Sequence, residues 1–174
     1  MSPNPSQSQL VILDTGVVIQ AHKTGTWAAV VAKFEVVLSS IVVAESLYYD
    51  HPKKGRVQID LTAFIQSKQI SVVSVPASEG SAFSAGFGDP TYVERIDAGE
   101  LESMVYLLHH APSGSQICSG DGIVFRVLGR LKKAELGVSF EELLKSIGLE
   151  RALPETFTRK AREKFTTQGF LDAG

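Results

Sequence analysis

The sequence predicts an α/β fold, a single-domain α/β/α sandwich around a central parallel sheet of four to five strands. Short apolar runs rich in branched residues alternate with segments whose apolar residues recur every three or four positions. Such runs indicate strands that are covered by helices on both faces, as in parallel sheets. The length of 174 residues is that of one ordinary domain.

Four apolar runs predict the strands of this sheet. Each run is short, is rich in Val, Ile or Leu, and ends near Asp, Gly, Pro or Ser, which favour turns. The four runs are residues 9–13, 35–38, 71–75 and 115–119.

Helices are predicted between and after these runs. The clearest spans residues 99–110, where apolar residues follow the spacing of one helix face. Ser139 and Glu142 form a capping box ahead of another. Residues 77–90 are rich in Gly and Ser and indicate only a short helix and a loop. The remaining predicted helices cover residues 17–23, 26–34, 41–49, 61–65, 123–131 and 155–168.

Composition divides the chain into three parts. Residues 1–9 are polar and contain proline without an apolar run, so they predict a disordered tail and not a signal peptide. Residues 10–150 contain every predicted strand and form the main domain. Residues 151–174 predict a helical extension packed on the same domain.

Charge and cysteine content narrow the function classes. The only cysteine is Cys118, which excludes an intrachain disulfide and fits a reducing cytoplasm. No stretch approaches the roughly 18 apolar residues of a membrane span, so we expect a cytoplasmic protein without membrane contact. The net charge of -2 neither supports nor excludes nucleic acid, because acids held in a metal site would leave the remaining surface slightly positive.

Four acidic residues occupy positions where ligands bind in open parallel sheets, at the carboxyl ends of strands or on the helices that follow them. Asp14 follows the first predicted strand and Asp121 follows the fourth. Glu45 lies in the middle of the predicted helix 41–49, and Glu100 lies in the first turn of helix 99–110. Asp97 precedes Glu100 by three residues and is the alternative to it as third ligand.

Carboxylates gathered in one cleft repel each other unless protons or cations neutralise them. Mg²⁺ or Mn²⁺ would supply that charge, since hard divalent cations prefer oxygen ligands. Such ions also activate water for phosphodiester hydrolysis, so no nucleophilic side chain is required. Taken singly, each acid has a plainer role as a helix cap, a first-turn acid or a solvated residue, and only their conjunction favours a site.

Several segments resemble the PIN domain, the nuclease fold of many VapC-type toxins and of eukaryotic RNA-processing nucleases. The resemblance spans roughly residues 9–150 and makes residues 10–150 a PIN-like nuclease domain. The third segment has a GE-x-E form found in one subgroup. The matching segments are ILDTGVVI at 12–19, IVVAES at 41–46, IDAGELESM at 96–104 and ICSGDGIVFRVL at 117–128.

The resemblance implies a metal-dependent endoribonuclease whose ligands are Asp14, Glu45, Glu100 and Asp121. In the family a hydroxyl or amide residue lies near each Asp, and here Thr15 and Ser119 have that place as supporting side chains, with Asp97 as a further one. An RNA substrate, a small antitoxin protein and a homodimer are the implied partners.

Two other functions are weighed against the nuclease. The first is a PIN-like scaffold that has lost activity and serves an RNA-processing or regulatory assembly. The second is a phosphatase of the haloacid-dehalogenase type, which needs a second Asp where this chain has Gly16. A separate hypothesis concerns Arg126 and Arg130, which are spaced i, i+4 after Asp121 and would either be solvated or track an RNA backbone.

Overall fold

Five parallel strands form the centre of the computed structural model, which describes residues 8–174. The order across the sheet is β5-β2-β1-β6-β7, and a separate antiparallel hairpin joins β3 to β4. The strands are β1 (Leu10–Leu13), β2 (Glu35–Ser39), β3 (Tyr48–His51), β4 (Gly55–Gln58), β5 (Ile70–Val73), β6 (Gln116–Cys118) and β7 (Gly137–Val138).

Ten α-helices and two short 3₁₀ helices, at Ala134–Leu136 and Glu155–Phe157, are present in the described residues. The α-helices are α1 (Thr15–Lys23), α2 (Trp27–Lys33), α3 (Ser40–Glu45), α4 (Thr62–Gln66), α5 (Ala77–Phe87), α6 (Pro90–Val93), α7 (Ala98–His109), α8 (Gly122–Arg130), α9 (Phe140–Ser146) and α10 (Arg159–Asp172).

The central strand β1 separates two apolar layers. Val11 and Leu13 face a core that α1, α2 and α9 cover, whereas Ile12 faces a second core covered by α7 and α8. All three side chains are fully buried, which is why β1 is apolar at every position. The predicted α/β/α sandwich with a parallel sheet is confirmed, and the sheet has five strands.

The predicted helix 41–49 is wrong in its second half. Helix α3 ends at Glu45, and Tyr48–His51 pairs with Gly55–Gln58 as the β3–β4 hairpin. Burial alternates from one residue to the next in this segment, as it does in a strand with one face on the core. Tyr49 and Val57 are half-buried, while Tyr48 and Arg56 are exposed.

Two other expectations differ from the structure or fall outside it, and one strand of the sheet was not predicted. Residues 77–90 were expected to form a short helix and a loop, but α5 covers eleven of them, Ala77–Phe87. Strand β7 has only two residues, too few to produce an apolar pattern. The expected disordered tail lies for the most part outside the described residues. Within residues 8–174, no helix has the length and apolarity needed to cross a membrane.

Helix α10 crosses α8 so closely that the two backbones touch at glycines. A Cβ on Gly129 would lie 2.0 Å from the carbonyl oxygen of Thr166, and a Cβ on Gly169 would lie 1.9 Å from that of Arg126. Real Cβ atoms do not approach carbonyl oxygens so closely, so both positions require glycine for space. The extension at residues 151–174 therefore lies directly against the helix that follows Asp121.

We expect Gly169→Ala to destabilise the protein by about 1–3 kcal/mol, the usual range for overpacking a tight contact. Gly86→Ala in α5 is the matched control, since a Cβ there meets nothing within 4 Å. That control should leave stability unchanged or raise it by up to about 1 kcal/mol, because Ala favours a helix more than Gly does. Urea unfolding of both variants measures the effect, and equal stability of Gly169→Ala and wild type would contradict it.

Candidate functional site

The carboxyl ends of β1 and β6 meet where the order of the sheet reverses. The chain runs outward from β1 through β2 to β5, and then returns to β6 on the other side of β1. In doubly wound sheets ligands bind in the crevice at such a switch point. Asp14 directly follows β1, and its N–H donates to the carbonyl oxygen of Cys118 in β6 at 3.2 Å.

Asp14 is held by three donors beneath the surface. Its Oδ1 accepts from the N–H of Val17 at 2.9 Å, and its Oδ2 accepts from the hydroxyl of Ser119 and from the N–H of Gly120 at 3.3 Å. The side chain is 6% exposed. Burial raises the pKa of Asp14 to about 6, although the three donors oppose the shift, and the charge of Asp121 adds to it. Asp14 is therefore both the cap of α1 and a buried acid of the cleft.

Ser119 connects Asp14 to Asp121. Its hydroxyl donates to Asp14, and its Oγ accepts from the N–H of Asp121 at 2.9 Å. The Asp121 side chain caps α8 by accepting from the N–H of Ile123 at 3.0 Å. The two strand-end acids are thus fixed relative to each other by one hydroxyl.

Glu100 is buried beside two other acids. Its Oε2 accepts from the N–H of Asp97 at 3.2 Å, and Asp97 Oδ1 accepts from the N–H of Glu100 at 2.8 Å, a complete capping box. Burial and, after it, the charges of Asp121 and Asp97 raise the pKa of Glu100 to about 9. In the absence of a cation, Glu100 therefore carries a proton at neutral pH. Asp97 and Glu100 both line the cleft, so the structure does not choose between them as third ligand.

Glu45 lies at the rim of this cleft. It is the exposed last residue of α3, not the middle of a longer helix as the sequence suggested. Its Oε2 accepts from the hydroxyl of Thr15 at 2.8 Å, and a Cβ on Gly99 would lie 3.4 Å from the same oxygen. Glu45 is thereby held next to the start of α7, one residue from Glu100.

The cleft that these acids share has a volume of about 250 Å³. A larger cavity of about 650 Å³ lies between α5 and the ends of α7 and α8, but its lining is mostly apolar. The smaller cleft is the candidate site because Asp14, Asp97, Glu100 and Asp121 line it, whereas Glu45 lies at its rim. Its lining residues are Asp14, Thr15, Gly16, Val42, Asp97, Glu100, Gly120, Asp121 and Phe157.

Phe157 forms a wall of the cleft that sequence reasoning missed. A Cβ on Gly120 would lie 2.2 Å from its ring, and a Cβ on Gly122 would lie 2.8 Å from the ring of Phe165. Neither glycine has a positive φ, so the Gly-Asp-Gly sequence provides room for two aromatic rings and is not a turn requirement. The paired glycines on either side of Asp121 were the available signal, but the sequence did not show which rings they receive.

The donor chemistry of the cleft fits a hard cation. In residues 8–174, none of the five carboxylates has an Arg, Lys or His partner at ion-pair distance. All the candidate donors are carboxylate or hydroxyl oxygens, the ligands that Mg²⁺ prefers. Among the described residues, however, no three His, Cys, Asp or Glu side chains are already grouped so that they could hold one ion. The carboxylates of Asp14, Glu45 and Glu100 instead accept hydrogen bonds from within the chain.

Arg126 and Arg130 contact α10 and its neighbours. Arg126 Nη2 lies 2.9 Å from Asp172 Oδ2, and Arg130 Nη1 donates to the backbone oxygen of Asp172 at 2.9 Å. Arg130 also lies 3.5 Å from Asp89 Oδ2, and both guanidinium groups lie over the ring of Tyr92. An RNA backbone would compete with these contacts, and the RNA-binding role of the two arginines stays a prediction.

No protein-family model matches the chain, and no curated protein matches its sequence.

The raised pKa values predict that stability falls as pH rises when no divalent cation is present. The folded state holds the Glu100 proton more tightly than the unfolded chain, whose pKa is near 4.5. The stability from that proton is complete below this value and is lost as pH rises through about 9. Asp14 adds a smaller loss of stability between its ordinary pKa of 3.8 and its raised pKa of about 6.

Glu100→Gln removes the Glu100 part of this dependence while keeping the capping box, because Gln also serves at that position. We expect its melting temperature in EDTA to exceed that of wild type by a margin that grows from about pH 5 to about pH 9. Glu94→Gln, which changes an exposed acid, is the control and should show no growing margin. A difference in melting temperature between wild type and Glu100→Gln that stays constant from about pH 5 to about pH 9 would contradict the raised pKa of Glu100.

Proposed function

We propose that this protein is a PIN-type endoribonuclease that uses Mg²⁺ or Mn²⁺ to hydrolyse phosphodiester bonds of RNA. The observation that carries the proposal is the meeting of Asp14, Glu100 and Asp121 in one cleft, with Glu45 at its rim. These residues come from four separate segments of the chain. The same four segments carry the resemblance to PIN domains, so geometry and resemblance favour the same residues.

Asp14, Glu45, Glu100 and Asp121 are the side chains that would hold the cation. When bound, Mg²⁺ or Mn²⁺ supplies Lewis acidity, which makes water a better nucleophile and offsets the negative charge of the phosphate. Asp14 is already oriented by three donors, so it loses little side-chain freedom on acting as a ligand.

The other residues of the cleft orient the acids and limit water. The Thr15 hydroxyl fixes one oxygen of Glu45, and Ser119 fixes the distance between the two strand-end acids. Glu100 must release its proton before it can bind a cation as a carboxylate. The ring of Phe157, only 8% exposed, covers one wall of the cleft and excludes solvent there.

The biological setting is part of the proposal and comes from the resemblance. Many PIN nucleases are toxins, so we propose a small antitoxin protein that occludes the cleft, a homodimer and a cytoplasmic location. RNA is the substrate that this setting implies.

One observation favours the alternative of an inactive PIN-like scaffold. No three acids among the described residues are grouped to hold an ion, and Asp14, Glu45 and Glu100 have hydrogen-bond donors within the chain. A scaffold would keep these hydrogen bonds in the presence of divalent cations. The two functions therefore differ in their response to divalent cations.

Asp14→Asn should abolish RNA cleavage in Mg²⁺ while the fold remains intact. The amide keeps the shape of the side chain and one acceptor for the Val17 N–H, but it removes the negative charge. We expect a loss of at least about a hundredfold, equivalent to about 2.7 kcal/mol of transition-state stabilisation. The control is Glu35→Gln, which alters an exposed acid at the opposite edge of the sheet. Cleavage by Asp14→Asn at the wild-type rate would exclude Asp14 as a ligand that matters.

Mn²⁺ should raise the melting temperature of the wild-type protein above its value in EDTA. Cation binding relieves repulsion among the acids, and it contributes about 2.7 kcal/mol at a hundredfold excess over the dissociation constant. Asp14→Asn should show a much smaller rise. Melting curves of wild type that do not move across millimolar Mn²⁺ would favour the scaffold over the nuclease.

A further inference from the structure

The β3–β4 hairpin begins at the rim of the acidic cleft. The N–H of Leu47 donates to the carbonyl oxygen of Glu45 at 3.0 Å, and the N–H of Ile59 donates to the carbonyl oxygen of Leu47 at 2.8 Å. These bonds fix the base of the hairpin beside Glu45. Tyr48 comes three positions after Glu45, so their Cα atoms are at most about 11 Å apart.

The two faces of the hairpin differ. Tyr49 and Val57 pair across the strands and are half-buried, and Tyr49 packs against the core. Tyr48 and Arg56 lie on the other face, where Tyr48 is 41% exposed. The Arg56 guanidinium carbon lies 3.8 Å from the centre of the Tyr48 ring, so the two form a stacked pair at the surface. Aromatic rings and guanidinium planes are the surfaces on which unpaired RNA bases stack.

The turn of the hairpin adds positive charge. Lys53 and Lys54 are exposed, and their backbone N–H groups both donate to His51 Nδ1 at 3.1 Å. Gly55 has a φ of +68°, which lets the chain close the turn. The backbone of the turn is therefore fixed while two ammonium groups remain at the surface.

The hairpin carries more positive than negative charge, because Lys53, Lys54 and Arg56 outnumber Asp50, which pairs with Arg56 across the strands. Lys53, Lys54 and Arg56 have no carboxylate at ion-pair distance among residues 8–174. By contrast, Arg126 and Arg162 are paired with acids of this chain. A polyanion that approaches the acidic cleft is repelled there, and it needs a cationic contact nearby to remain bound.

We propose that the β3–β4 hairpin is the arm that binds single-stranded RNA next to the cleft. A base stacks on the Tyr48–Arg56 pair, and Lys53 and Lys54 contact the phosphates of the strand. The role as a substrate arm rests on the proposed nuclease function, but RNA binding by the hairpin does not require cleavage.

The test measures binding of a short fluorescent single-stranded RNA in EDTA, at several salt concentrations, without cleavage. We expect Tyr48→Ala with Arg56→Ala to weaken binding on the order of tenfold or more, since stacking of one base contributes this much. Tyr48→Phe keeps the ring and should bind as wild type does. Lys53→Ala with Lys54→Ala should weaken binding and lower the slope of log affinity against log salt by about 1.4.

The matched control is Lys33→Ala with Lys133→Ala, which removes two exposed lysines that come shortly before the amino ends of β2 and β7. It should keep the wild-type affinity and slope. All the substituted side chains are exposed, so equal melting temperatures are expected and are checked first.

Three results would overturn the proposal: wild-type protein that does not bind the single strand, hairpin variants that bind as wild type does, or an RNA duplex that binds equally well. Cleavage in Mn²⁺ separates this failure from that of the nuclease. If no form cleaves RNA but the hairpin variants lose affinity, the nuclease proposal fails and the arm remains. If wild type cleaves RNA and the hairpin variants bind it equally well, the arm alone fails.

Discussion

Pairing of β1 with β6 is the contact on which both the sheet and the cleft depend. The two strands are far apart in sequence, and their register places Leu13 opposite Cys118. It also brings Asp14 to Ser119, which in turn holds Asp121. A slip of one residue would turn every β1 side chain toward the other apolar layer and move Asp14 out of reach of Ser119. Full burial of β1 on both faces makes such a slip costly, so the core fixes the spacing of the acids.

The buried acids of the cleft lower the stability of the folded protein. Asp14 and Glu100 are buried, and burial raises the pKa of both. The hydrogen bonds from Val17, Ser119 and Gly120 limit this cost at Asp14, whereas Glu100 lies between two further acids. An arrangement that opposes its own ionisation is typical of functional sites, because a core with no such role would have apolar residues there.

Most of the sheet was predictable because its strands are short apolar runs. The meeting of Asp14 with Asp121 was predictable because the strand ends of a parallel sheet share one edge. The β3–β4 hairpin was not predictable, because Tyr48 and Tyr49 continue an apolar stretch from α3 and this sequence pattern is equally compatible with a helix. The contact of Phe157 with Gly120 could not be predicted from the sequence for a different reason. It joins residues distant in sequence, and no local pattern specifies which ring fills the space beside a glycine.

The wall formed by Phe157 also affects when the cleft is complete during synthesis. The chain grows from its N-terminus, and Phe157 leaves the ribosome after every other residue that lines the cleft. The strands and the four acids can therefore assemble while the space beside Gly120, which the ring of Phe157 later fills, is still open to water. Phe157 packs against Phe140 of α9 and lies two residues before α10, the helix that packs against α8 at Gly169. The cleft is thus complete only after the C-terminal extension has been synthesised, because that extension supplies Phe157.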